Sequence, residues 1–392
     1  MAGPSSGWDG GEAPHALVLY DSEQSLCARA VPYLRGGVDR GEAVLAVVSA
    51  GVQQILRSAL GDDATRVRWQ ADDLSYRRLG AMFEGFRRFL ADQRAAGVGM
   101  RLLAQNDTLG APERVAAYVR FEAMANEVYR PYGYRWACLY DTRDYTAQTL
   151  RQVRQVHPQL LQPAGRARRN GQYLEPSRYV TQAEPLVRPP AAVQLDFEVT
   201  DPGELLWGRR LLRGWAEIRG MGGEDTDDVL IAIGEAVTNA VEHGTPPVRV
   251  RAWTADGLAR VHVHDHGTTP IPATAGYRRP HHEFDRGYGL WVARQLADVV
   301  TTYSDPAGTT IALDFPLTPT GNKRPQGYRR GQTGRWTECA HARRRSSDRS
   351  TARRASDAEL HLKHAGGGVC AGPAREKSPR LPPEPRTDTP GL

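Results

Sequence analysis

The sequence predicts two folded units of different class: an α/β unit with a mostly parallel sheet over residues 14–161, and an α+β unit over residues 192–317. Three observations carry this reading. In the first unit, continuous apolar runs alternate with amphipathic stretches, the pattern of strands buried on both faces with helices between them. In the second, helical periodicity is interleaved with pairs of short strands joined by turns. After Leu317 the regular apolar pattern stops, and the chain becomes rich in Arg, Ser, Gly and Pro. Residues 318–392 are therefore expected to be disordered, as are the Gly- and Ser-rich residues 1–13.

The strands expected in the first unit are apolar runs at 16–20, 44–48, 67–69, 100–104 and 136–140. Helical stretches follow them at 22–36, 53–60, 76–96, 112–130 and 146–157. Pro112 suits the first turn of its helix, where a missing N–H costs nothing. Residues 162–191 are basic and dotted with prolines, from Pro163 to Pro190, and read as a linker that packs only partly. In the second unit Val193, Leu195, Phe197 and Val199 alternate with polar residues, as in a half-buried strand. A helix at 205–219 carries Leu211, Leu212, Trp215 and Ile218 on its apolar face, and a longer one spans 225–243. Strands at 248–253 and 258–265 pair through an Asp256-Gly257 turn, and a second pair is expected at 299–304 and 309–315.

Composition narrows the class of function. A chain of 392 residues with 40% hydrophobic residues is long enough for two ordinary cores. Its longest apolar run, at 43–50, is too short to span a membrane, and no secretion signal is visible, so a cytoplasmic protein without a membrane partner is expected. Cys27, Cys138, Cys339 and Cys370 are scattered without a Cys-x-x-Cys pair, so neither a zinc site nor a disulfide framework is expected. The net charge of +6 is uneven: the residues after Leu317 hold 16 Lys and Arg against 7 Asp and Glu, which leaves the rest slightly acidic. That is a solvated basic tail rather than a specific nucleic-acid reader.

The chemistry concentrates in the segment from Ile233 to Gly244. On a helix, Glu235, Asn239 and His243 are four apart and share a face, while Leu230, Ile233, Val237 and Val241 form a separate apolar stripe. An amide oxygen suits Mg²⁺ beside phosphates, and a carboxylate one turn earlier can accept a proton. Further on, a predicted strand ends in Asp265-His266-Gly267, where a carboxylate can accept from an exocyclic amine and a glycine lets the backbone approach a flat ring. Arg286-Gly287-Tyr288-Gly289-Leu290 opens a helix whose first N–H groups would face phosphate, and Gly308-Thr309-Thr310 begins the last strand.

In order and spacing these four elements resemble the ATP-binding domain shared by DNA gyrase, sensor histidine kinases and MutL, in the short form found in anti-sigma-factor serine kinases. The resemblance covers residues 192–317 and implies an α+β sandwich that binds ATP with Mg²⁺. It implies Asn239 as the Mg²⁺ ligand, Glu235 as the catalytic base, and Asp265 and Gly267 as adenine contacts. Gly287 and Gly289 would bind phosphate with Arg286 and Thr310 nearby, and residues 268–286, with Arg278 and Arg279, would form a lid. The partners it implies are a sigma factor and an anti-sigma antagonist, in a homodimer. The sequence departs from the family's Asp-x-Gly-x-Gly at Thr269. That departure leaves a non-catalytic, ATP-dependent sequestration module as the alternative to a serine/threonine kinase. For His243 the residues themselves suggest a structural hydrogen bond closing the helix before Gly244.

The first unit, through residues 15–20, 118–127 and 137–141, is similar to the MEDS sensory domain, whose fold is that of recombinase-type ATPases. No Gly-x-x-x-x-Gly-Lys-[Ser/Thr] occurs, so no nucleotide hydrolysis is expected there. His15, Glu122 and Asp141 are candidates to line a pocket for a small-molecule signal at the strand ends.

Overall fold

The alternation of apolar and amphipathic stretches folds into a parallel sheet covered on both faces. The structure, a computed structural model, describes residues 15–69, 78–105, 112–182, 186–280 and 287–317. The expected disordered ends lie outside the described residues. In the first unit the strands are β1 (His15–Tyr20), β2 (Ala43–Val47), β3 (Val67–Trp69), β4 (Met100–Gln105), β5 (Arg135–Asp141), β6 (Gln159–Leu161) and β7 (Ala167–Arg169). Their order is β3-β2-β4-β5-β1-β6-β7, parallel throughout except for the last pair.

Strand residues point alternately to two cores. Ala16, Val18, Ala46 and Leu139 pack against α1 (Glu23–Val38) and α2 (Ala50–Leu60). Leu17, Leu45, Leu102, Trp136 and Cys138 face α3 (Leu79–Ala95), α4 (Pro112–Val128), α5 (Ala147–Val156) and the short α6 (Pro176–Tyr179). Pro112 opens α4, as its sequence position suggested.

Residues 163–182, read from their prolines as part of a loosely packed linker, are instead built into this unit. β7 pairs with β6, Asn170 is buried, and Pro176 and Tyr179 of α6 are buried. The prolines do not disrupt this because Pro163 and Pro176 stand at the first positions of short helical turns, where no N–H is needed.

The second unit is an antiparallel sheet layered with helices. β8 (Leu195–Val199), β9 (Val248–Ala255), β10 (Leu258–Asp265), β11 (Val299–Asp305) and β12 (Gly308–Pro316) lie in the order β11-β12-β10-β9-β8. α7 (Leu205–Ile218), α8 (Gly223–His243) and α9 (Tyr288–Leu296) pack on it, with Leu230, Ile233 and Val237 of α8 buried as the expected apolar stripe. Among the described residues no helix is long and apolar enough to cross a membrane.

The two units share buried surface. Tyr277 and Val299 of the second unit belong to the same apolar cluster as α3 and α4 of the first. Phe121 of α4 meets the edge of Tyr277 at 4.9 Å between ring centroids. Around this contact Arg114 Nε donates to Asp298 Oδ2 at 2.9 Å, and Arg78 pairs with Asp228 of α8 at 2.6 Å. α3 approaches α9 most closely at Gly80, where a Cβ would lie 2.0 Å from the Arg294 carbonyl oxygen. Gly80→Ala should therefore destabilise the chain by about 1–3 kcal/mol, read as a lowered denaturation midpoint.

On its other face the second sheet holds buried polar groups. Arg260 pairs with Asp314 at 3.1 Å, and the His262 ring meets the Trp253 ring at 4.8 Å. Burial, then the Arg251 and Arg260 charges, push the His262 imidazole down to about 4. A histidine with a depressed folded pKa adds stability that is complete above its unfolded pKa near 6.5 and is lost as pH falls toward 4. In His262→Phe the loss of stability between pH 6.5 and 4 should shrink by about 3 kcal/mol relative to wild type, measured by denaturant unfolding across that range.

Candidate functional site

α8 carries the first part of the site. With its apolar stripe against the sheet, its opposite face presents half-buried Glu235 and Asn239. The N-terminus of α9 comes against them. Gly287 caps α9 in the left-handed region at φ 88°, a conformation that favours glycine. Two residues on, a Cβ at Gly289 would lie 2.5 Å from Glu235 Oε2 and 3.2 Å from Asn239 Nδ2. The carboxylate, the amide and the first turn of α9 therefore meet because position 289 has no side chain.

The second part lies around Asp265, at the end of β10. Its Oδ1 accepts from the Gly267 N–H at 2.7 Å and the Thr245 N–H at 3.1 Å, and the residue is buried. Three glycines crowd it: a Cβ at Gly244 or Gly267 would strike its carboxylate, and one at Gly308 its carbonyl oxygen. Thr309, paired with Asp265 across the β10–β12 ladder, donates from Oγ1 to the Gly267 carbonyl at 3.0 Å. Thr310 Oγ1 lies 3.0 Å from His264 Nδ1. The two parts share α8: Asn239 precedes Gly244 by five residues, about 7.5 Å along a helix axis.

The structure thus brings Glu235, Asn239 and Gly289 together, and gathers Gly267 and Thr310 around the end of β10 near Asp265. Arg286 lies outside the described residues. His243 is exposed at the end of α8, and the bond closing that helix runs from the Gly244 N–H to the Ala240 carbonyl rather than from the imidazole. Gly244, Thr245 and Thr309 were missed as site residues. The signal for the first two was a glycine directly after the helix; Thr309 stood inside the Gly308-Thr309-Thr310 element, but only the strand register sets it opposite Asp265.

The segment after Asp265 returns to the rest of the protein. Gly276, at φ 79°, sits close against Leu290, 3.0 Å from where a Cβ would lie. The Arg294 guanidinium lies 4.1 Å from the Tyr277 ring centroid and donates to the Ala275 and Val300 carbonyls. Of the arginines expected in a lid, Arg278 pairs with Glu127 of α4 and Arg279 lies over the Trp291 ring.

In the first unit, His15 and Glu122 line one apolar cavity of about 90 Å³ with Phe83, Phe86 and Trp136. Asp141 lies apart, held by Arg143 at 2.6 Å, whose hydrogen bonds keep its carboxyl below the usual carboxylate range. Sequence reading missed Cys138 and His157, which join His15 and Glu122.

Residues 14–158 match the family model of the methanogen/methylotroph, DcmR sensory domain, MEDS. Residues 195–315 match the model of the histidine kinase-like ATPase domain. The chain joins a MEDS domain to a histidine kinase-like ATPase domain. The ATPase domain is an ATP-binding, kinase-like module and the MEDS domain a sensory one. Among curated proteins none matches the chain. A structure of the RsbU and RsbW domains of Rv1364c from Mycobacterium tuberculosis is 27% identical, with a TM-score of 0.24; the match covers 32% of this chain and only 32% of that one. The mycobacterial sensor histidine kinase MprB is 19% identical over 32% of this chain and 99% of its own, with a TM-score of 0.22. The histidine kinase domain of the blue-light activated kinase EL346 from Erythrobacter litoralis is 16% identical over 60% and 94%, with a TM-score of 0.21. These structural likenesses are too slight to carry an assignment of activity.

Proposed function

We propose that this chain is a signal-gated regulator whose ATPase domain binds Mg-ATP and phosphorylates a serine or threonine on an anti-sigma antagonist, alternately holding a sigma factor. The observation that carries the reading is the meeting of α9 with Glu235 and Asn239 at Gly289. A nucleotide site needs backbone N–H groups for phosphate, a hard oxygen for the metal and a carboxylate near the reacting end, and these three are what converge here. The glycine-walled surroundings of Asp265 fit a flat base in the same way.

In this reading Asn239 holds Mg²⁺, which supplies positive charge beside the phosphates. Gly287 and Gly289 leave the first N–H groups of α9 open to a phosphate oxygen. Glu235 accepts the proton of the attacking hydroxyl. With Oδ1 of Asp265 held by two backbone donors, Oδ2 is left to receive the amino group of adenine, with Gly267 beneath the ring. The MEDS domain acts as the input through α4, which touches the segment after Asp265 at Tyr277 and Arg278. An effector works this way by binding two arrangements of that contact with different affinity.

Calorimetric titration of Mg-ATP, followed by transfer of labelled phosphate to a candidate antagonist, tests the reading. Wild type should bind. Asn239→Ala and Gly289→Ala should bind at least tenfold more weakly, about 1.4 kcal/mol. Glu235→Gln should still bind but lose phosphotransfer. A folded wild type that binds no nucleotide would overturn the proposal, leaving protein contacts alone. Partner capture that needs Asn239 while no phosphate is transferred would establish sequestration instead.

A further inference from the structure

Four potential metal ligands converge in the core of the MEDS domain. His15 from β1, Glu122 from α4, Cys138 from β5 and His157 at the end of α5 each offer an atom, and these atoms all lie within 4.8 Å of one another. All four residues are buried, both histidines completely. Two of the contacts are short: His15 Nε2 lies 3.3 Å from Cys138 Sγ, and His157 Nε2 lies 3.1 Å from Glu122 Oε1.

The surrounding hydrogen bonds fix which atoms point inward. His157 Nδ1 must donate to the Val153 carbonyl, 2.6 Å away, so its Nε2 turns a lone pair toward Glu122. Asn126 donates from Nδ2 to the Val156 and Ala123 carbonyls, at 2.7 and 3.1 Å. Its Oδ1 therefore accepts from His15 Nδ1 at 2.9 Å, which leaves the His15 Nε2 lone pair toward Cys138. Tyr140 donates to the other oxygen of Glu122 at 2.5 Å. The result is two imidazole lone pairs, a carboxylate oxygen and a sulfur facing one point. Glu122 Oε1 and His157 Nε2 have no hydrogen-bond partner among the described residues.

We infer that His15, Glu122, Cys138 and His157 form a binding site for one transition-metal ion of the zinc class. Without a metal, a shared proton answers the Glu122–His157 contact and the Cys138 thiol answers His15 Nε2 by donating to it, so the contacts are met pair by pair. A divalent cation answers all four. Tetrahedral zinc bonds of 2.0–2.3 Å place ligand atoms roughly 3.3–3.8 Å apart, close to the two contacts seen. One carboxylate and one thiolate neutralise a divalent ion, so the completed site buries no net charge. Mixed nitrogen, sulfur and oxygen donors select zinc-like ions over Mg²⁺ or Ca²⁺. Asn126, the Val153 carbonyl and Tyr140 are the outer partners that such ligands need for orientation. The absence of a Cys-x-x-Cys pair had argued against zinc, but these ligands come from four separate elements that only the fold assembles.

The test uses the full chain, incubated with Zn²⁺ or Co²⁺, desalted, and assayed for metal by elemental analysis and for thiolate-to-cobalt charge-transfer absorption. Wild type should retain one ion per chain and show the cobalt band. Cys138→Ala should lose the band, and Glu122→Gln, which keeps the shape of the side chain, should bind at least tenfold more weakly. Thermal melts check folding, and if Cys138→Ala does not fold, Glu122→Gln and His157→Gln decide the matter. A folded wild type that retains no ion would overturn the assignment and leave a proton-sharing Glu122–His157 pair. Equal retention in folded variants would overturn it too, tracing the metal to residues elsewhere, such as Cys339 and Cys370.

Discussion

Helix α4 is buried without interruption from Val119 to Asn126, and that burial sets the terms for the rest of the structure. A helix enclosed on every side has no water to solvate its polar residues, so each must find protein partners. Arg120 donates to the Val180 and Gln182 carbonyls, which ties the segment after α6 to α4. Glu122 and Asn126 turn toward β1, β5 and α5. Phe121, next to Glu122, meets the edge of Tyr277 of the ATPase domain. One helix thus holds both a polar cluster inside the sensory domain and the contact with the segment that follows Asp265.

A second constraint is close approach. At Gly80, Gly289 and Gly308 backbone or functional atoms occupy the volume a side chain would need. The first sets the distance between the two domains, the second the distance between α8 and α9, and the third the distance between β12 and the end of β10. These contacts are specific because protein interiors are densely packed and yield little to an added methyl group.

Much of the fold was legible because its signals are local. Continuous apolar runs marked the parallel strands, Asp256-Gly257 marked a hairpin, and the separation of Glu235 and Asn239 from the Leu230–Ile233–Val237 stripe marked the two faces of α8. What was not legible depends on pairs distant in sequence. The prolines of residues 163–182 looked like punctuation, yet two of them start short turns that dock on the first unit. Cys138 looked like one more apolar strand residue, and His157 like a helix end, because His15 stands 123 positions from the first. Asp141 seemed equivalent to Glu122 as a residue near a strand end, but Arg143 two positions on claims it. Nothing in the composition announced that Tyr277 completes a core begun by α3 and α4.

The shared core also bears on the order in which the chain can acquire its structure. A ribosome delivers the MEDS domain first, and domains generally fold as units in that order. When α4 has docked on its sheet, the ring of Phe121 and the bare backbone at Gly80 still lack the covering that Tyr277 and α9 provide. From Leu161, the end of the last parallel strand, roughly 115 further residues must emerge before Tyr277 arrives, so for several seconds of synthesis this surface remains open to water and to chaperones.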